Sequence, residues 1–260
     1  MLLMDKVAVI YGAGGAIGGA VARAFAREGA TLFLTGRLRA PVEVVAADAG
    51  GSTDAAEVDA LDERAVDRHL RSVIDRAGRV DISFNAVGIP DPKILGVPLV
   101  ELDVEWFARP IAAYTTSYFL TARLAARHMI PNRSGVIMTV TALHSRTGIP
   151  LVGGYGPAMA AKEALTRDLS AELAPHGIRV VGLRPQGMPE TSTIKEAFEA
   201  RAAATGMTWE QWQDFLAART HARRLMTLAE MADMAVVMAS DRARGMTGTT
   251  VNLTMGSLDD

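Results

Sequence analysis

A glycine-rich segment near the start of the chain has the residue types that bind a pyrophosphate. Residues 11–19 read Tyr-Gly-Ala-Gly-Gly-Ala-Ile-Gly-Gly, after an apolar run and before a helical period. Small residues let the backbone turn sharply and approach phosphates, and a helix N-terminus supplies free N–H groups and a positive dipole end. In this context the segment indicates a dinucleotide-binding turn, with a tight turn that binds nothing as the alternative.

Chemistry elsewhere is limited by the residue types that the chain lacks. It contains no cysteine, which excludes disulfides, thiolate nucleophiles and cysteine-ligated metals. Its 5 histidines show neither H-x-H nor H-x-x-x-H spacing, so we expect no metal site. Hydroxyl and imidazole groups are the main candidates for acid–base chemistry. His144 has a suitable intrinsic pKa, although a loop histidine is more often a polar surface residue.

The composition is that of a globular protein with balanced charge. The 260 residues are 49% hydrophobic, and 27 basic and 29 acidic side chains give a formal charge of -2. This balance gives no global attraction for nucleic acid or an anionic membrane surface. No run of 18 apolar residues indicates a membrane span. We expect a cytoplasmic protein that acts on a small-molecule substrate and has no nucleic-acid or membrane partner.

Short apolar runs alternate with longer amphipathic periods along the whole chain. The runs predict strands at residues 7–11, 31–35, 55–58, 80–84, 135–140, 178–183 and 249–253. The periods predict helices at residues 16–28, 63–76, 104–129 and 156–173. This alternation predicts an α/β fold with a doubly wound, seven-stranded parallel sheet (a Rossmann fold) and helices on both faces. We expect one domain over residues 1–260.

Residues 189–228 interrupt the alternation with two further predicted helices, at 193–204 and 209–219. The segment follows the carboxyl end of a predicted strand, where ligands of such sheets bind. We therefore expect a helical lid over the substrate, with an ordinary surface helix pair as the alternative. Its aromatic residues favour an apolar or aromatic substrate: Phe198, Trp209, Trp212 and Phe215.

With these motifs in order, the chain resembles the short-chain dehydrogenase/reductase superfamily over essentially its whole length. The glycine turn is similar to T-G-x-x-x-G-x-G, with Tyr11 in place of the threonine and Ala16 in place of the middle glycine. Residues 81–88, 166–180 and 185–187 resemble further family segments. The resemblance implies a nicotinamide dinucleotide cofactor. The residues it would place against that cofactor are Gly12, Gly14, Gly15, Ile17, Gly18, Arg37, Asp59, Ala60, Asn85, Val87, Gly88, Pro185, Gly187 and Thr191.

The end of the second predicted strand indicates the choice of cofactor. Members that prefer NAD carry an acid there, which holds the ribose hydroxyls. This chain has Gly36 followed by Arg37, with Arg39 nearby. A guanidinium suits a 2′-phosphate by charge and geometry. Gly15 stands where a second basic residue is usual. We expect NADP, with NAD less favoured.

The same resemblance implies hydride transfer assisted by a tyrosine, a lysine four residues later, a serine and an asparagine. Tyr155 matches the tyrosine, but Met159 stands at the lysine position and Ala142 at the serine position. Ala113 or Tyr114 stands at the asparagine position. Lys162 follows Tyr155 by seven residues, a rise of about 10 Å, so its side chain would have to fold back to replace the lysine.

The absence of the lysine, serine and asparagine favours reduction over oxidation. Without a neighbouring cation Tyr155 should keep a pKa of about 10, which suits proton donation and makes it a poor base at neutral pH. We expect reduction of a carbonyl or imine with Tyr155 as proton donor, and Thr141, His144 and Ser145 as candidate helpers. Two alternatives remain: a non-redox lyase, cyclase or isomerase, and a catalytically inactive dinucleotide-binding protein.

Two predicted helices, at residues 104–129 and 156–173, carry more apolar and small residues than one buried stripe requires. This favours burial on two sides, against the sheet and against a partner. Family members commonly pair through the corresponding helices, so the resemblance implies a homodimer or homotetramer.

Overall fold

The fold is built on seven parallel strands. A computed structural model describes residues 1–89, 93–191, 195, 199 and 206–259. The strands are β1 (Val7–Tyr11), β2 (Thr31–Gly36), β3 (Thr53–Glu57), β4 (Ile82–Asn85), β5 (Gly135–Val140), β6 (Ile178–Pro185) and β7 (Thr249–Leu253). They pair in the order β3-β2-β1-β4-β5-β6-β7, and each pairing is parallel. This confirms the predicted doubly wound sheet.

Helices cover both faces of this sheet. They are α1 (Ala16–Arg27), α2 (Arg39–Ala49), α3 (Glu63–Ala77), α4 (Val104–Met129), α5 (Tyr155–Leu173), α6 (Trp209–Ala217) and α7 (Leu228–Ala239). Apolar side chains of α1 and α7 pack on one face, and those of α3, α4 and α5 pack on the other. Because both faces are covered, β1, β4 and β5 are buried at every residue.

The sequence pattern did not predict α2 or α7. In α2 only Val42 and Val45 are buried, so its apolar stripe is too short to show a clear period. In α7 apolar residues occur around the whole helix. Its start was nevertheless marked by a capping box, in which Thr227 and Glu230 satisfy each other's backbone N–H groups.

The predicted lid is described in part. The predicted helix at 193–204 lies outside the described residues, apart from Lys195 and Glu199. The second predicted helix is present as α6, which starts in a capping box formed by Thr208 and Gln211. None of the residues of α6 is buried. Across the described ranges, no helix is long and apolar enough to cross a membrane.

Candidate active site

The turn between β1 and α1 requires glycine at two positions. Gly12 has a φ of +77°, and a Cβ there would lie 2.6 Å from the carbonyl oxygen of Ala86, which follows β4. A Cβ on Gly18 would collide with the carbonyl oxygen of Gly12. The turn is therefore packed against its neighbours at backbone distance, and larger residues at these two positions would force it to move.

The start of α1 offers N–H groups to an anion. Its N-cap is Gly15, with extended backbone, and no side chain of the described residues caps the helix. The first turn of α1 carries no acidic residue. The uncapped N–H groups and the helix dipole suit a pyrophosphate, so this turn fits the nicotinamide dinucleotide that the sequence predicts.

The residues expected at the adenosine end lie at the carboxyl ends of β2 and β3. Gly36 ends β2, and the Arg37 side chain that follows it is exposed. Arg39 is engaged elsewhere, because its Nε donates to Oε1 of Glu43 at 2.6 Å. Asp59 is held by its own loop, where its Oδ1 accepts from the backbone N–H of Leu61 at 2.9 Å. Arg37 is thus exposed directly after β2, and the Arg39 side chain is bound to its own helix.

The segment after β4 approaches Tyr114 of α4. Asn85 is buried at the end of β4, and its Nδ2 donates to Oγ1 of Thr121 at 3.1 Å. Its Oδ1 is buried with no hydrogen-bond partner among the described residues. Val87 and Gly88 follow, and the N–H of Ile89 donates to Oη of Tyr114 at 3.3 Å. Tyr114, one of the two residues that the sequence offers for the family's asparagine position, therefore holds this segment.

The segment after β6 lies at the same edge of the sheet. Pro185 is the last residue of β6, and the N–H of Gln186 donates to the carbonyl oxygen of Leu253 at 3.1 Å. Beyond Gly187, buried Thr191 donates from its Oγ1 to the carbonyl oxygen of Met188 at 3.0 Å. The predicted cofactor residues follow the carboxyl ends of β1, β2, β3, β4 and β6, which meet at one edge of the sheet.

Tyr155 is the first residue of α5 and is half-buried among aromatic rings. Its ring meets those of Tyr114 and His144 edge to face, with centroids 5.7 Å and 5.1 Å away. Burial raises the pKa of Tyr155 above its ordinary value, and the Tyr114 phenol raises it further. The expectation of an unshifted pKa was wrong, because the ring lies in a desolvated cluster that spacing along the chain does not reveal.

The position one helical turn after Tyr155 is apolar. Met159 is only 1% exposed and packs with Tyr114 and Ala158, and Ala142 lies against the same cluster. Lys162 points to a different partner: its Nζ donates to the carbonyl oxygen of Val140 at 2.7 Å. This part of the site therefore offers Tyr155 a hydrophobic neighbour in place of a cation.

Lys162 is enclosed by two aromatic rings. Its Nζ lies 5.6 Å from the centroid of Tyr114 and 5.8 Å from that of Tyr118. The side chain is 1% exposed, and burial lowers its pKa to about 7. An ammonium held in this way is partly deprotonated near neutral pH.

The predicted helpers Thr141 and Ser145 are brought together by a residue that the sequence analysis missed. Glu163 of α5 accepts from Thr141 Oγ1 at 3.0 Å and from Ser145 Oγ at 2.6 Å, both at its Oε1. Arg184 of β6 donates to Glu163 with two nitrogens, Nε to Oε1 at 2.8 Å and Nη2 to Oε2 at 2.9 Å. An arginine in a strand otherwise rich in apolar residues was the signal available in the sequence.

Comparison with known proteins agrees with this geometry. Residues 12–257 match the model of a family described as Enoyl-(Acyl carrier protein) reductase. The chain is 31% identical over 246 residues to cis-4-hydroxycyclohexanecarboxylate dehydrogenase of Sinomonas cyclohexanicum, covering 94% of this chain and 93% of that protein. It is 28% identical over 254 residues to (+)-borneol dehydrogenase 2 of Salvia officinalis, covering 95% and 87%.

A solved structure shows the same fold. The crystal structure of NAD+-bound xylitol dehydrogenase superposes with a TM-score of 0.90 at 25% identity, covering 99% of this chain and 100% of that chain. The family model and the relatives span nearly the whole chain, glycine turn and closing strand included. The family binds nicotinamide dinucleotides, which the uncapped start of α1 suits. The protein is therefore an oxidoreductase of the short-chain dehydrogenase/reductase superfamily.

Proposed function

We propose that this oxidoreductase uses NADPH to reduce a carbonyl or imine of a small apolar or aromatic substrate, with Tyr155 as the proton donor. The observation that carries the proposal is the environment of Tyr155, whose ring lies against Tyr114 and His144. Because burial raises its pKa, the phenol keeps its proton at neutral pH. A protonated phenol can donate to a developing alkoxide but is a poor base for alcohol oxidation.

The proton and electron balance of this reduction is simple. When bound, the reduced dinucleotide supplies a hydride to the carbonyl or iminium carbon of the substrate. With a carbonyl or a neutral imine, the π electron pair moves to the substrate oxygen or nitrogen, which takes a proton from Tyr155 Oη, and the phenolate recovers a proton from water. With an iminium ion the electron pair neutralises the nitrogen, and no proton is taken from Tyr155. His144, whose ring centroid lies 5.1 Å from that of Tyr155, is the second group able to hydrogen-bond the reacting atom.

The preference for NADP rests on the end of β2. Gly36 stands where an acidic residue would repel a 2′-phosphate, and the exposed guanidinium of Arg37 follows it directly in the chain. An Arg37→Asp variant tests this preference. We expect the ratio of kcat/KM for NADPH to that for NADH to fall at least tenfold. An unchanged ratio would remove Arg37 from the proposal.

The substrate side is proposed from the segment after β6. We propose that residues 189–228 form a lid, with α6 carrying Trp212 and Phe215, whose rings stack at 5.4 Å. This aromatic pair supports an apolar or aromatic substrate.

We also propose a homodimer or homotetramer through α4 and α5. In support, α4 exposes three large apolar side chains: Val104, Phe107 and Phe119. Light scattering that shows only monomer would refute this assembly.

The decisive experiment follows NADPH consumption with a panel of ketones, aldehydes and cyclic imines, using the wild type and Tyr155→Phe. We expect turnover of at least one substrate, and a fall in kcat of about 10²-fold to 10⁴-fold in the variant, because the proton donor is lost. Iminium substrates should lose less, since they need little acid assistance. The proposal fails if no substrate oxidises NADPH above background, or if product forms equally well without NADPH.

A further inference from the structure

We propose that Glu163 is a positioning residue that holds His144 against Tyr155. Its carboxylate accepts hydrogen bonds from the hydroxyl groups of Thr141 and Ser145, which lie on either side of His144 in the chain. The role assigned to His144 rests on the reductase proposed above, but the positioning itself can be measured without turnover. Thr141 and Ser145, expected from the sequence to assist catalysis directly, act in this proposal through the loop that they anchor.

The loop after β5 is tied to α5 at two points. Thr141 precedes His144 by three residues and Ser145 follows it directly, and both donate to the same carboxylate oxygen, Glu163 Oε1, at 3.0 Å and 2.6 Å. Within the loop, the N–H of Ser145 donates to the carbonyl oxygen of Ala142 at 2.9 Å. A short segment fixed on either side of one residue leaves that residue little backbone freedom.

Glu163 is itself immobilised by a charge pair. Its carboxylate receives the two-nitrogen fork of Arg184, and both side chains are only 4% exposed. Burial alone would raise the pKa of Glu163, but the hydrogen bonds from Arg184, Ser145 and Thr141 outweigh burial and hold the pKa below its usual value. The carboxylate therefore stays ionised and keeps accepting from the loop.

The result of this anchoring is the contact between two rings. The imidazole of His144 meets the phenol ring of Tyr155 at 80° with 5.1 Å between centroids. The backbone of the loop also packs closely on the start of α5, because a Cβ on Gly156 would lie 3.2 Å from the carbonyl oxygen of His144. Ala142, at the family's serine position, brings no hydroxyl, so an anchored imidazole supplies a polar group beside the tyrosine.

The test removes the two hydrogen bonds that tie the loop to Glu163 and keeps the buried ion pair of Glu163 with Arg184. A Thr141→Val/Ser145→Ala double variant removes both loop hydrogen bonds and keeps the pair of Glu163 with Arg184, so folding should survive. The control is Glu172→Gln, an exposed acid on the same helix. The first readout is the NMR signal of the His144 ring protons, assigned by its loss in His144→Gln. Tyr155 should shift this signal by its ring current.

We expect the double variant to move the His144 ring-proton signal toward its unfolded position and the control to leave it in place. In the reductase assay we expect kcat to fall about tenfold with KM within twofold, since a misplaced group affects the reacting geometry. In a His144→Gln background the double variant should cause no further loss. Glu163→Gln should reproduce the NMR change if it folds.

Two results would overturn the proposal. One is a His144 signal that does not move in a correctly folded double variant. The other is an equal change in the Glu172→Gln control. Because the NMR readout needs no substrate, failure of the reductase assay alone would contradict the proposed function and leave the positioning role to be decided by the spectra.

Discussion

Replacing Lys162 by methionine should stabilise the protein near neutral pH and remove a defined part of its pH dependence. Lys162 carries an amine into the space between β5, α4 and α5. There its Nζ donates to the carbonyl oxygen of Val140 at 2.7 Å and faces the rings of Tyr114 and Tyr118. The neighbouring carboxylate of Glu163 is held by Arg184, so it does not compensate this charge.

The magnitude follows from the pKa of Lys162, which burial lowers from 10.5 to about 7. Between these two values the unfolded chain holds a proton that the folded protein has released, so the free energy of unfolding rises with pH in this window. Each unit of pKa corresponds to ~1.4 kcal/mol, which gives on the order of 5 kcal/mol across the whole window. Below pH 7 both states are protonated and the full penalty of the buried charge remains.

Methionine removes that penalty but leaves the carbonyl oxygen of Val140 without its donor, which costs about 1–3 kcal/mol. We therefore expect Lys162→Met to raise the free energy of unfolding by about 2 kcal/mol at pH 7. The melting temperature should rise by roughly 4–8 °C for a chain of this size. At higher pH the advantage should shrink and then reverse, because the wild-type amine becomes neutral at no cost.

Urea unfolding of the wild type and Lys162→Met between pH 6.5 and pH 9.5 measures this difference. Lys195→Met is the matched control, because the side chain of Lys195 is 53% exposed. The stability difference between wild type and Lys162→Met should fall by about 3 kcal/mol from pH 7 to pH 9.5, and the control should run parallel to the wild type. A difference that is independent of pH, or a variant less stable than wild type at pH 7, would refute the reasoning.

Three further substitutions test the site. Met159→Lys returns a cation to the helical turn after Tyr155; we expect the pKa of Tyr155 to fall by about 1–3 units, and alcohol oxidation at pH 8 to rise at least tenfold in a pH–rate profile. Gly18→Val forces the glycine turn apart, so calorimetric titration should show dinucleotide binding weakened at least tenfold, while an unchanged affinity would contradict the backbone-distance packing. Arg184→Met leaves the Glu163 carboxylate buried without its partner, and urea unfolding should show a loss of about 3–5 kcal/mol.

The sequence by itself determined the fold and the dinucleotide turn, because both depend on short-range signals. The strand–turn–helix unit of β1 and α1 consists of five apolar residues, a run of small residues and a helical period. These signals are consecutive in the chain, so the sequence alone reveals the unit. Counting from Tyr155 along the chain likewise showed methionine at position 159, in α5, and alanine at position 142, after β5. Helices α2 and α7 were missed because their apolar residues do not form a clear stripe.

Only the tertiary structure decided what the polar groups around Tyr155 do. Thr141, Glu163 and Arg184 belong to a loop, a helix and a strand, and their hydrogen bonds exist only once β5, α5 and β6 are packed together. The spacing along the chain gave only the distance of Lys162 from Tyr155. The packing of α5 on β5 and α4 decided that its amine binds the carbonyl oxygen of Val140 and that burial lowers its pKa. Desolvation and hydrogen bonding fix protonation, and both arise from neighbours that are distant in the chain.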